Sequence, residues 1–195
     1  EARCRRGNDC FRARSEGKFL FSPLTEHVLQ RASEKISYVL GRFPVERVVE
    51  ECRHGPGADL GTKRNETAAY WKYAPDGHCT PGSLTLMHEW FHEYHVSDLA
   101  DHSVLTNANR LSFVPKTSLI DRIICVEPRW NVFLQLGIGE AMSRRLREKT
   151  GVDIRDQGRN QALASAAYKD RLATIDLSAA SDSVAKNLVL ELLPD

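Results

Sequence analysis

Between residues 24 and 41 the chain reads LTEHVLQRASEKISYVLG, and Leu24, Val28, Ala32, Ile36 and Leu40 recur at every fourth position. That spacing keeps them on one face of a helix, and Gly41 stands where a helix can stop. A shorter amphipathic segment, PVERVVEEC, follows. The pattern is then lost. Residues 53–83, RHGPGADLGTKRNETAAYWKYAPDGHCTPGS, are rich in Gly, Pro and polar side chains and predict a long irregular connection, a feature that in compact domains tends to serve function or motion. Periodicity returns in LTLMHEWFHEYH, which predicts a helix packing Met87, Trp90, Phe91 and Tyr94. Two β-prone runs, Leu111 to Val114 and Arg122 to Val126, flank a polar turn and predict a hairpin bearing Lys116 and Arg122. After Pro128, RWNVFLQLGIGEAMSRRLREKTG predicts one long helix despite Gly137 and Gly139. A polar link, VDIRDQGRNQALASAAYKD, leads to a short strand from Leu172 to Ile175 and then a helix from about Ser181, with Ser181 or Asp182 as its cap. The expected class is α+β, mainly helical.

Composition narrows the class only a little. A chain of 195 residues suits one sizeable domain or a piece of a larger protein. The formal net charge of +1 announces no global affinity for nucleic acid. Arginines do cluster, at Arg3, Arg5, Arg6, Arg12 and Arg14 and again at Arg144, Arg145 and Arg147, as solvated helix faces or as phosphate contacts. The five cysteines, Cys4, Cys10, Cys52, Cys79 and Cys125, form no C-x-x-C pair, which argues against a disulfide framework and for a reducing cytoplasm. No apolar run is long enough to span a bilayer, and no secretory leader is visible. The chain starts at Glu1 and stops at LELLPD within an apolar helical pattern, which reads as a segment of a longer polypeptide.

Two stretches carry candidate chemistry. In MHEWFHEYHVSD, His88-Glu89-x-x-His92 has the spacing of a zinc-protease helix: His88 and His92 would share a face, and Glu89 would serve a metal-bound water as general base. In the extended form of that motif a glycine and a third ligand follow. His95 and Asp98 occupy those places here, and His95 cannot replace a glycine at a sharp turn. The plain alternative is an amphipathic helix with histidines at its polar edge. A zinc site from Cys52, His54, His78 and Cys79 matches no common ligand spacing.

The other stretch is LATIDLSAASDSV. An apolar strand ends in Asp176, and a carboxylate at the C-terminal end of a strand faces the crevice where ligands bind in mixed α/β architectures. The small residues Ser178, Ala179, Ala180 and Ser181 leave room for a ligand near the backbone. The competing reading makes Asp176 a strand-end turn residue and Asp182 a helix N-terminal charge.

TIDLSAASDS resembles motif A of the RNA-directed RNA polymerases of leviviruses, the single-stranded RNA bacteriophages. Upstream, FVPKTSLIDRIICVEPRWNVFLQLGIG resembles the fingers hairpin of that family, motif F, and the helix behind it. GVDIRDQGRNQALA resembles the segment before motif A, and EARCRRGND and RHGPGA resemble segments nearer the amino terminus. The resemblance implies polymerase fingers over 1–109, the fingers hairpin at 110–128, a helix and linker over 129–170, and the start of a palm with an incomplete sheet at 171–195. It implies replication of a viral RNA genome by two-metal nucleotidyl transfer, with Mg2+ as the ion, RNA template and product, and nucleoside triphosphates as substrates. On that pattern Asp176 is the catalytic metal ligand and the Leu177 carbonyl assists it. Lys116 and Arg122 neutralise the incoming triphosphate, and Ser181 or Asp182 reads the ribose 2′-hydroxyl. The turn departs from the family pattern in reading TSLI, with Leu119 where relatives carry basic or polar residues. Leviviral replicases act in the cytoplasm of the bacterial host and assemble with host elongation factors Tu and Ts and a ribosomal protein; no membrane is implied. The family's second metal-binding pair lies in a Gly-Asp-Asp motif, and this sequence contains no Asp-Asp, so the fragment alone is expected to be inactive. A zinc metallohydrolase built on His88 and His92, and a non-catalytic RNA-binding fragment, are the alternative readings.

Overall fold

The computed structural model describes residues 2–62, 65–173, 175, 180 and 183–194. Its elements in chain order are α1 (Ala2–Ser15), α2 (Pro23–Leu40), α3 (Val45–Glu51), a 3-10 turn (Ala69–Lys72), β1 (His78–Cys79), α4 (Pro81–Trp90), α5 (His95–Ala100), β2 (Val104–Leu105), β3 (Arg110–Pro115), β4 (Asp121–Val126), α6 (Arg129–Thr150), α7 (Gln157–Asp170) and α8 (Lys186–Leu192). The chain is α+β and mainly helical, as its pattern predicts. It divides into two compact units, one of residues Pro44–Met142 and one of Glu1–Phe43 with Ser143–Asp195.

The unit of residues 44–142 is built on the first turns of α6. Trp130 and Phe133 are buried and meet nearly edge to face, with ring centroids 5.5 Å apart. Val49, Cys79, Met87, Phe91, Ala100 and Leu134 complete this core. Each large apolar side chain so buried contributes about 1.5–3 kcal/mol. Gly137 is required by packing. A Cβ there would lie 2.4 Å from the Cys52 sulfur and 2.8 Å from the Val48 carbonyl oxygen. The helix-propensity cost of glycine, about 1 kcal/mol, is thus exchanged for close contact between α6 and α3. Asn131 of α6 ties down α4: its Oδ1 accepts from the Thr80 amide at 3.0 Å and the Ser83 hydroxyl at 2.8 Å, beside the reciprocal Thr80–Ser83 capping box.

β1 and β2 pair parallel, and β3 and β4 form an antiparallel hairpin running from Arg110↔Val126 to Pro115↔Asp121.

The other unit holds α1, α2, α7 and α8 and the last turns of α6. Arg14 of α1 joins α2 to α8. Its guanidinium donates to Glu26 at 2.7 and 3.1 Å and to Glu191. The Arg14 fork holds the Glu26 carboxyl below the usual carboxylate range, and the two carboxylates hold Arg14 protonated. Gly41 stops α2 at φ 62°, its amide donating to the Ser37 carbonyl, and Arg145 occupies the space a side chain would need.

Four sequence expectations are corrected. The helix across 84–95 is two helices, because Phe91 leaves helical geometry to enter the core and α5 restarts at His95. The polar link at 152–170 contains α7, which opens on Asp156 accepting from the Gly158 amide. Of the strand at 172–176, Leu172, Ala173 and Ile175 are described and lie in no strand; Thr174 and Asp176 are outside the described residues. The last helix starts at Lys186 rather than near Ser181. Ala185 is buried and opens α8, and its first turn is capped from α1, where Asn8 Oδ1 accepts from the Asn187 amide at 2.9 Å. Ser181 and Asp182, the expected caps, lie outside the described residues.

Candidate functional site

The β3–β4 hairpin is formed by β-branched and aromatic residues and closed by Thr117. The Thr117 hydroxyl accepts from the Ile120 amide at 3.1 Å, while the Lys116 amide donates to the Ile120 carbonyl at 2.9 Å. Lys116 therefore stands at the mouth of the turn, and Arg122 sits on β4 opposite Val114. Both are exposed. Cross-strand pairing puts Arg122 on the same face as Arg110, Ser112, Ile124 and Val126. The hairpin thus brings two expected phosphate ligands to one end of a two-stranded ribbon. Leu119 is 92 % exposed at the tip and offers no charge to a phosphate. Asp176, Leu177, Ser181 and Asp182 lie outside the described residues.

What holds the hairpin is its root. Val126 and Pro128 are buried, the Leu60 amide donates to the Glu127 carbonyl at 2.8 Å, and Leu60 and Pro128 form an isolated parallel bridge. The Asn109 side-chain amide reaches the Glu127 carboxylate at 3.1 Å from the other strand's entry. One residue below the bridge lies a cluster of buried charge. Asp59 is 2 % exposed, Lys72 4 % and Arg129 6 %. Asp59 Oδ2 faces the Lys72 ammonium at 3.3 Å, and Oδ1 faces Arg129 Nε at 3.4 Å and accepts from the Thr62 hydroxyl. Lys72 also donates to the Gly55 and Gly57 carbonyls at 2.7 and 2.6 Å, and Arg129 Nη1 lies 3.4 Å from Asp76. A buried charge is tolerable only with such partners. The pattern of residues did not disclose this cluster. Its one local signal is Lys72 set among Tyr70, Trp71 and Tyr73 in a Gly- and Pro-rich stretch.

His54 lies over this cluster, 5 % exposed and enclosed by the rings of Tyr73, Phe133 and Trp130 at 4.6, 4.9 and 5.1 Å. Burial pushes its imidazole down to about 4; Asp59 opposes the shift, and Lys72 and Arg129 add to it. An unfolded imidazole protonates near 6.5, so between there and about 4 the unfolded chain binds the proton that folded His54 refuses. The stabilisation is whole above 6.5 and is lost as pH falls through that window, by up to about 3 kcal/mol. Urea unfolding at pH 7 and pH 4.5 is expected to show a smaller acid loss for His54→Phe than for the parent. Equal losses would mean that His54 takes up its proton in the folded state.

The zinc readings rest on geometry that the fold does not supply. His88 is in α4, whereas His92 lies past its end. His88 Nε2 is 3.2 Å from Asp101, and His92 Nδ1 is 3.3 Å from the Glu89 carbonyl. His95 and Asp98 belong to α5. Cys79 is in the core, its thiol pushed up by burial, and burial pushes the Cys52 thiol up to about 12. Among the described residues no three His, Cys, Asp or Glu side chains gather as a metal site. No described helix is long and apolar enough to cross a membrane.

The family model described as RNA replicase, beta-chain, matches residues 1–195. The chain is 38 % identical over 182 residues to the RNA-directed RNA polymerase subunit beta of Escherichia virus Qbeta, a match covering 90 % of this chain and 30 % of that protein. It is 38 % identical over 156 residues to the RNA-directed RNA polymerase beta chain of Enterobacteria phage fr, covering 76 % and 28 % respectively. It is 36 % identical over 197 residues to the corresponding subunit of Qbeta virus strain MX1, covering 100 % of this chain and 33 % of the relative. The chain thus spans about a third of the length of the relatives it matches.

Proposed function

The chain belongs to the RNA replicase beta-chain family, and from that premise we propose that it is the fingers and first palm segment of a phage RNA-directed RNA polymerase. The observation that supports this most is the family match through the whole of residues 1–195. Catalysis belongs to the larger polypeptide. In the family pattern the second metal-binding pair lies in a Gly-Asp-Asp motif, and this sequence contains no Asp-Asp, so the 195 residues alone are expected to be inactive.

In this reading the hairpin is an electrostatic arm. Lys116 at the turn mouth and Arg122 on β4 lie on an exposed ribbon that a polyphosphate can approach without displacing packed side chains. The Arg122 guanidinium can donate two parallel hydrogen bonds to one phosphate, and the Lys116 ammonium acts as a point charge. Asp176 would hold a divalent ion with the Leu177 carbonyl, and Ser181 or Asp182 would take the ribose 2′-hydroxyl. The donors are hard oxygens, the set that magnesium prefers, and such ions, when bound, would supply charge neutralisation for nucleotidyl transfer. Asp176 completes no site by itself; further carboxylates come from other residues of the polymerase. Template and product RNA, nucleoside triphosphates, the host elongation factors Tu and Ts and a ribosomal protein are the proposed partners, in the bacterial cytoplasm.

Lys116→Ala and Arg122→Ala, placed in an active polymerase that contains this sequence, are each expected to weaken the hold on the triphosphate by about 1.5–3 kcal/mol, the range for a charge-assisted hydrogen bond. If the contact serves substrate and transition state alike, the nucleotide KM rises; if it strengthens as charge develops, kcat falls too. Steady-state extension over a nucleotide titration reads both. Unchanged KM and kcat in the double variant would remove the hairpin from triphosphate binding.

A further inference from the structure

The hairpin has little packing of its own. In β3 and β4 the buried side chain is Val126, at the very end. Its direction within its unit is therefore set where it leaves the core, and a small rotation there is magnified at Lys116 and Arg122. At that place one carboxylate serves two cations from separate segments. Asp59 turns Oδ2 to Lys72 and Oδ1 to Arg129. Lys72 gathers the Gly55 and Gly57 carbonyls, so the RHGPGA turn is fastened to the same point. Arg129 follows the buried Pro128, and the next residue on the Asp59 side, Leu60, bonds the hairpin at Glu127.

An apolar trio of similar volume could stabilise such a place as well or better, because desolvating charges offsets much of their attraction. Apolar contact, however, is non-directional. A carboxylate with its two oxygens assigned to two different cations specifies one arrangement. We infer that Asp59, with Lys72 and Arg129, is the positioning cluster of the hairpin: it sets the approach of Lys116 and Arg122 to the triphosphate without touching it. This inference rests on the reading of those two residues as phosphate ligands.

The test uses Arg129→Lys in the active polymerase that contains this sequence. Lysine keeps a cation beside Asp59 and loses the fork that also reaches Asp76. The nucleotide KM is expected to rise about tenfold, the size of one good charge-assisted hydrogen bond, with RNA affinity unchanged. In a Lys116→Ala, Arg122→Ala background the same change is expected to add nothing to KM, since its effect acts through those side chains. A merely structural loss would instead lower the active fraction, and so the apparent kcat, equally in both backgrounds. A KM rise of equal size in both backgrounds, or none in the first, overturns the inference.

Hydrogen exchange separates this from failure of the phosphate reading. If the Lys116→Ala, Arg122→Ala double variant has normal kinetics, that reading is lost, and the exchange of the Leu60 amide decides the positioning. In Arg129→Lys it is expected to quicken about tenfold or more while core amides such as Phe91 keep their protection. Unchanged exchange at Leu60 overturns the positioning role as well.

Discussion

Asp176→Asn, in an active polymerase containing this sequence, is expected to lower nucleotide addition at least about a thousandfold, beyond the usual cost of removing one preorganised electrostatic partner. The amide keeps the shape of the carboxylate and loses the negative charge that, on the proposed role, would offset a divalent ion. RNA affinity should stay close to that of the parent, because on the proposed role template binding would come mostly from phosphate contacts away from Asp176. Two measurements on the same preparation are needed: primer or template extension at fixed magnesium and salt, and template binding at the same ionic strength. Loss of both together would point to misfolding. Extension at the parent rate would remove Asp176 as metal ligand and, with it, the assignment of this segment to a polymerase palm.

Asp59→Asn should give the largest loss of stability, about 3–5 kcal/mol, because it leaves two buried cations facing a neutral amide. Lys72 retains the Gly55 and Gly57 carbonyls, so the loss falls chiefly on the join between that turn and Arg129. Asp76→Ala is the matching control. It removes the other carboxylate near Arg129, but Asp76 is 83 % exposed, and an exposed partner contributes at most about 1 kcal/mol. Denaturant unfolding of the three proteins at neutral pH tests the contrast. A loss for Asp59→Asn no greater than for Asp76→Ala would mean that water reaches Lys72 and Arg129 and that the cluster is not buried in solution.

The helices α2, α3 and α6 and the hairpin were legible in the chain because each is specified locally. Leu24 to Leu40 recur at helical spacing, Gly41 supplies the stop, and the two β-prone runs differ from the residues around them in side-chain shape. The division of the 84–95 segment was not legible. LTLMHEWFHEYH satisfies a helix throughout, and only the opening for Phe91 beside Phe133, their rings 5.6 Å apart, draws the chain out of helical geometry. The start of α8 was missed for a similar reason. Ser181 and Asp182 are good caps by type, yet the cap comes from Asn8, at the other end of the chain.

By itself the sequence determined the family, through ordered motifs, and the local elements, through periodicities that any short segment carries with it. It also determined the chemistry on offer at Lys116, Arg122 and Asp176, because a side chain's donors and charge travel with its identity. The tertiary structure decided which charges are surface charges and which are buried. Lys72 resembles any other lysine in a polar loop until Asp59, Gly55 and Gly57 close around it and Arg129 takes the other oxygen of Asp59, from positions as far apart as 55 and 129. The physical reason is that the energy of a charge depends on what replaces its water, and those replacements are brought together only by long-range packing.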